Sequence, residues 1–146
     1  MKKGVAALGA LVVLLYIVAI FFPIEPVERR PGTRLGGEVA PVGSEVETNG
    51  QILVETRTWY LVRHSVTTTS WTRDGEIYVP CRACAGKRWP KNVAADPRVR
   101  LKIDGKLYDR IAVRVTDESE VRRLFRIEAG EPLPDRWVFR MEKPTG

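Results

Sequence analysis

Hydrophobic and polar residues are distributed along this chain in three distinct ways. Residues 5–22 read VAALGALVVLLYIVAIFF, eighteen positions without a charge, proline or amide side chain, between Lys2-Lys3 and Pro23. At about 1.5 Å rise per residue this run is long enough to cross the hydrocarbon of a bilayer, and it lacks the polar face of an ordinary core helix. It ends in the bulky Ile20-Phe21-Phe22, where a signal peptidase needs small residues, so residues 1–22 are expected to form an uncleaved N-terminal transmembrane anchor. Residues 23–50 carry four prolines and five glycines with no sustained period of 2 or 3.6, the pattern of a linker that holds a domain off the membrane surface.

From residue 51 onward, short β-branched and aromatic runs alternate with turn signals, so residues 51–146 read as one β-rich domain. Residues 52–64 supply one long strand or two short ones. Asp74-Gly75 and Asp104-Gly105 each lie between two such runs, and a type I′ hairpin turn needs positive φ at both central positions. Val99, Leu101 and Ile103 alternate with Arg98, Arg100 and Lys102, as expected of a half-buried antiparallel strand. Pro90 suits the first turn of a short helix over 90–95 that Asp96-Pro97 ends. Asp117 with Glu120 opens a second, whose stripe of Val121, Leu124 and Phe125 runs until Gly130. A last strand covers 137–142. About six antiparallel strands with two short helices predict a closed or partly closed barrel, because so short a flat sheet would leave exposed edges.

Charge adds a location. Residues 82–106 hold eight basic residues and two acidic ones, which equals the net charge of +6 of the whole chain. Arg98, Arg100 and Lys102 read as the solvent face of a strand. Lys87, Arg88, Lys91 and Asn92 do not alternate; they surround a helix start, where cationic side chains and free N–H groups converge on an anion. Cys81 and Cys84 form a lone C-x-x-C, open to reading as a redox dithiol, a structural disulfide or two free thiols near a pocket mouth. Zinc would need two further ligands, with His64 the single histidine, so no metal is expected. His64 reads as a strand residue with a satisfied hydrogen bond. The tryptophans 59, 71 and 137 read as core, and Trp89, beside the basic loop, as a ligand contact. No Ser/His/Asp set, carboxylate pair or Walker-type loop supports a hydrolase or NTPase, and an anchored chain is not expected to bind nucleic acid.

The order of motifs then resembles a known family. The Asp74-Gly75 turn leads through Glu76-Ile77-Tyr78-Val79 to Gly86-Lys87-Arg88-Trp89-Pro90-Lys91-Asn92-Val93. Asp96-Pro97-Arg98-Val99 and Gly105-Lys106-Leu107-Tyr108 follow. Over about residues 59–124 this resembles the split β-barrel superfamily, and more narrowly its deazaflavin-dependent nitroreductase and quinone-reductase branch, related to the pyridoxamine-phosphate-oxidase-like flavin-binding proteins. The resemblance implies a split β-barrel binding FMN or the deazaflavin F420. Its phosphate would lie near Lys87, Arg88, Trp89, Lys91 and Asn92, and its ring system near the hydroxyls of Thr67, Thr68 and Thr69. It also implies a homodimer and, with the anchor, an oxidoreductase acting on a quinone-like or nitro acceptor dissolved in lipid. Where the family carries a Gly/Arg-bearing stretch before the second strand, this chain has Ser65-Val66-Thr67-Thr68-Thr69-Ser70. That replacement motivates a second expectation, a barrel without cofactor that serves as a non-catalytic binding or accessory module in the envelope. The catalytic residues stay unassigned. A three-residue charged tail is normally retained in the cytoplasm, so the expected placement is a single-pass inner or plasma membrane protein with its domain on the extracytoplasmic side.

Overall fold

The computed structural model describes residues 2–145. Its first element is helix α1, Lys2–Phe21, within which Gly4–Phe21 has mean hydropathy 2.7 and no buried residue. By length and composition α1 is a candidate membrane span.

Seven strands follow: β1 (Glu38–Val39), β2 (Asn49–Thr56), β3 (His64–Arg73), β4 (Glu76–Arg82), β5 (Arg98–Ile103), β6 (Lys106–Arg114) and β7 (Arg136–Glu142). Six of them, in the cyclic order β2-β3-β4-β7-β6-β5, close an antiparallel barrel. The split lies in β6, whose start pairs in parallel with β1 while its end, Ile111 to Arg114, pairs with β7. Closure removes the free edges that so small a sheet would otherwise expose. The Asp-Gly turns have the expected backbone, with φ of 53° and 79° at Asp74-Gly75 and 49° and 81° at Asp104-Gly105. On β5 the burial alternates as the sequence pattern requires: Val99, Leu101 and Ile103 enter the core. Arg98, Arg100 and Lys102 face outward onto Asp96, Asp109 and Glu25.

Helix α2 (Arg88–Ala95) starts two residues before Pro90, which sits in the first turn where its missing N–H is harmless. Helix α3 (Glu118–Phe125) begins where expected, with the Asp117 carboxylate accepting from the Glu120 N–H at 2.8 Å. It stops earlier than Gly130, at a left-handed Arg126 with φ 55°. The residues expected as one or two strands, 52–64, divide between β2, a seven-residue loop at 57–63, and the start of β3.

The 23–50 segment is not a free spacer. Leu35 is fully buried, and its N–H donates to Glu55 Oε2 at 2.7 Å. Glu25 pairs with Lys102, Arg110 donates to the Ser44 carbonyl at 2.6 Å, and β1 extends the sheet. Gly32 exchanges both backbone hydrogen bonds with Ser65, at 2.9 and 3.0 Å. Proline and glycine there mark sharp reversals of a chain strapped onto the barrel, which composition alone does not separate from a flexible linker. Trp59 is a second correction: it lies in the 57–63 loop, beyond the reach of the core, and is 92% exposed.

Candidate functional site

A cleft of about 470 Å³ opens between the strap, β3, the end of β4 and the start of α2. Thr67 and Thr68 form part of one wall, with Val66 and His64 on the same strand. Lys87, Arg88 and Trp89 come from the α2 start, and Glu28, Arg29, Arg30 and Pro31 from the strap. Four cations therefore face one acid across the opening. The N-cap of α2, Lys87, makes no side-chain cap, so first-turn N–H groups carry no side-chain partner and add their partial positive charge.

Of the residues expected at a cofactor, Thr67, Thr68, Lys87, Arg88 and Trp89 meet in this cleft, and Thr69, Lys91 and Asn92 lie outside its lining. Thr69 and Lys91 are exposed elsewhere. The Asn92 amide donates to Thr56 Oγ1 at 2.9 Å and so clasps α2 to β2. Trp89 borders the cleft, but it is 4% exposed and its ring packs on Phe139 with centroids 4.9 Å apart. Its main contact is the barrel core. Cys81 and Cys84 are joined as a disulfide and both are buried in that core. The short loop they close carries the chain from β4 into α2, a placement that makes the pair a brace behind Lys87 rather than thiols at the mouth. Among the described residues no cluster of His, Cys, Asp or Glu is arranged to hold a metal.

Two contributors to the cleft were not anticipated. The strap residues 28–31 looked like linker, and the one available signal was the Arg29-Arg30 pair beside Pro31. His64 looked like a strand residue with a satisfied hydrogen bond, yet its imidazole lines the cleft and makes no side-chain hydrogen bond to the described residues. Burial, reinforced by the neighbouring Arg88 cation, lowers its pKa from the usual 6.5 and keeps the ring neutral at pH 7.

A six-stranded antiparallel barrel, split along one strand and bearing a cationic cleft beside a short helix, defines the split-barrel class. Solved structures agree on the fold. Protein Rv2991 of Mycobacterium tuberculosis is similar at TM-score 0.54 and 16% identity, over 75% of this chain and 87% of that one. A candidate pyridoxamine 5'-phosphate oxidase from Listeria innocua is similar at TM-score 0.52 and 16% identity, over 66% and 86%. No curated protein is similar in sequence. The chain belongs to the F420H(2)-dependent quinone reductase family, whose profile matches residues 29–136. The match begins inside the strap and so includes Arg29, Arg30 and Pro31 of the cleft lining.

Proposed function

We propose that this protein is a membrane-anchored reductase that binds F420 in the cleft and reduces a quinone-like acceptor drawn from the bilayer. The observation that carries the reading is the convergence of Thr67, Thr68, Arg29, Arg30, Lys87 and Arg88 on one cleft within a chain of this family. The donor set fits a flat, hydroxyl-bonded ring that ends in phosphate. The threonine hydroxyls would hold the ring's polar edge, and the four cations with the α2 N-terminus would hold the anionic tail. Bound there, reduced F420 supplies a hydride. The chain's own task is orientation, exclusion of water and electrostatic stabilisation of the acceptor. His64, neutral and on the cleft wall, is placed to donate a hydrogen bond to the acceptor's carbonyl oxygen as charge develops on it. The apolar α1 keeps the barrel beside a lipid-soluble substrate.

The test is titration of the purified full-length chain with F420, followed by mixing the reduced cofactor with a quinone. Saturable binding with loss of the reduced-cofactor signal only when the quinone is present is the expected result. Absence of binding would sink the proposal and favour a cofactor-free accessory module.

A further inference from the structure

The loop between β2 and β3, residues 57–63, reads Arg-Thr-Trp-Tyr-Leu-Val-Arg. Trp59 is 92% exposed and Leu61 66%, and no part of the barrel covers either. The loop is nevertheless shaped: Thr58 Oγ1 donates to the Val62 carbonyl at 2.6 Å, and Leu61 takes a left-handed φ of 69°. A built loop that holds its largest apolar groups outward is arranged for an apolar partner.

Its position identifies the partner. The Tyr16 hydroxyl of α1 donates to the carbonyl of Tyr60. Tyr16 lies five residues before Phe21, so at about 1.5 Å per residue the loop meets the helix about 7.5 Å inside its domain-proximal end. Interfacial segments sink about 5–10 Å into the headgroup and acyl boundary, and tryptophan and tyrosine prefer that layer. Arg57 and Arg63 bound the apolar tip in sequence. Arg63 is held below its usual pKa by burial and by the Arg57 cation, and only the Glu55 carboxylate, 3.7 Å away, offsets it. At that corner five arginines, Arg57, Arg63, Arg98, Arg100 and Arg110, share one surface with two carboxylates, Glu55 and Asp109.

We infer that the 57–63 loop is a second membrane contact: Trp59 and Leu61 insert into the bilayer interface beside α1, and Arg57 and Arg63 engage anionic headgroups. This rests on the reading of α1 as a bilayer span. The consequence for the site is orientation. Tyr60 also accepts a hydrogen bond from Arg88 and lies under its guanidinium, 5.3 Å from the ring centroid, and Arg88 lines the cleft. The loop thus sits against a residue of the cleft lining, Arg88, through Tyr60. Pinned at two points, the barrel cannot swing freely on α1, and the cleft mouth stays at the interface where a lipid-soluble acceptor resides.

Spin labels on the full-length chain in phosphatidylcholine nanodiscs test this. Two variants, each with one added cysteine, are compared, Leu11→Cys in α1 and Leu61→Cys in the loop; the native cysteines are bonded to each other and do not take the label. The expected result is that both labels collide preferentially with oxygen over a water-soluble nickel complex, with Leu61 shallower than Leu11. A lipid-exposed Leu11 with an aqueous Leu61 overturns the inference and spares the anchor. An aqueous Leu11 sinks the anchor, and the Leu61 label still decides the loop. Adding phosphatidylglycerol should deepen the Leu61 label in the native background and not in Arg57→Gln. An equal response in both would remove the arginine from the contact.

Discussion

Lys87 and Lys91 are four residues apart in a basic stretch and look equivalent in sequence, yet only Lys87 faces the cleft. Replacing Lys87 by alanine should therefore weaken F420 binding, by about ten-fold to a hundred-fold if one charge-assisted contact is lost, while Lys91→Ala binds as the parent does. Calorimetry on the two variants checks this, and equal losses would move the phosphate elsewhere. His64 supports a prediction about pH. Its folded-state pKa lies below its unfolded value near 6.5, so the unfolded chain takes up the proton first. Its contribution to stability is complete above pH 6.5 and is lost as pH falls through that value toward the lowered folded pKa. Urea unfolding between about pH 7 and 5 should show His64→Gln losing less stability on acidification than the parent, and parallel curves would count against the buried neutral imidazole.

At the scale of elements, the strap depends on one glycine. A Cβ on Gly32 would lie 2.2 Å from the Ile24 carbonyl oxygen and 2.6 Å from the Pro26 nitrogen, both backbone atoms that cannot rotate away. Gly32→Ala must displace the strap where it bonds to Ser65, at a cost of about 1 to 3 kcal/mol, typical of overpacking. Because residues 28–31 form the adjoining wall of the cleft, F420 affinity should fall together with the unfolding midpoint. A variant with lower stability and unchanged affinity would separate the strap from the site. The same element explains a limit of reading the chain in order. Four prolines and five glycines describe a linker equally well, and it takes tertiary contacts such as the Leu35 N–H on Glu55, Gly32 with Ser65 and β1 with β6 to show a docked segment.

At the scale of the whole molecule, charge is sorted by the fold. The basic stretch 82–106 divides between β5, whose three cations are each matched by a carboxylate, and the α2 start, whose Lys87 and Arg88 join Arg29 and Arg30 across the cleft. A phosphate-bearing cofactor held by that concentration of charge should dissociate more readily in salt, since the screening length shortens from about 10 Å at 0.1 M to about 3 Å at 1 M. Titrations at the two ionic strengths should differ several-fold in Kd for the parent and less for Lys87→Ala; salt-independent binding would deny the cations their role.

The sequence alone determined what depends on neighbours along the chain. The apolar run of α1, the two Asp-Gly hairpins, the alternation on β5 and the Asp117 cap are local, because helix rise, strand pleat and turn φ are fixed over a few residues. The motif order also sufficed for the split barrel, and it singled out Thr67, Thr68, Lys87 and Arg88, which line one cleft. Tertiary structure decided the rest. Asn92 became a clasp on Thr56 and Trp89 a core residue, Cys81 and Cys84 closed a buried brace, and residues 28–31 with His64 completed the cleft. These outcomes turn on which segments meet after the barrel closes, through contacts such as Gly32 with Ser65 that join positions 33 residues apart, and no local periodicity encodes such a meeting.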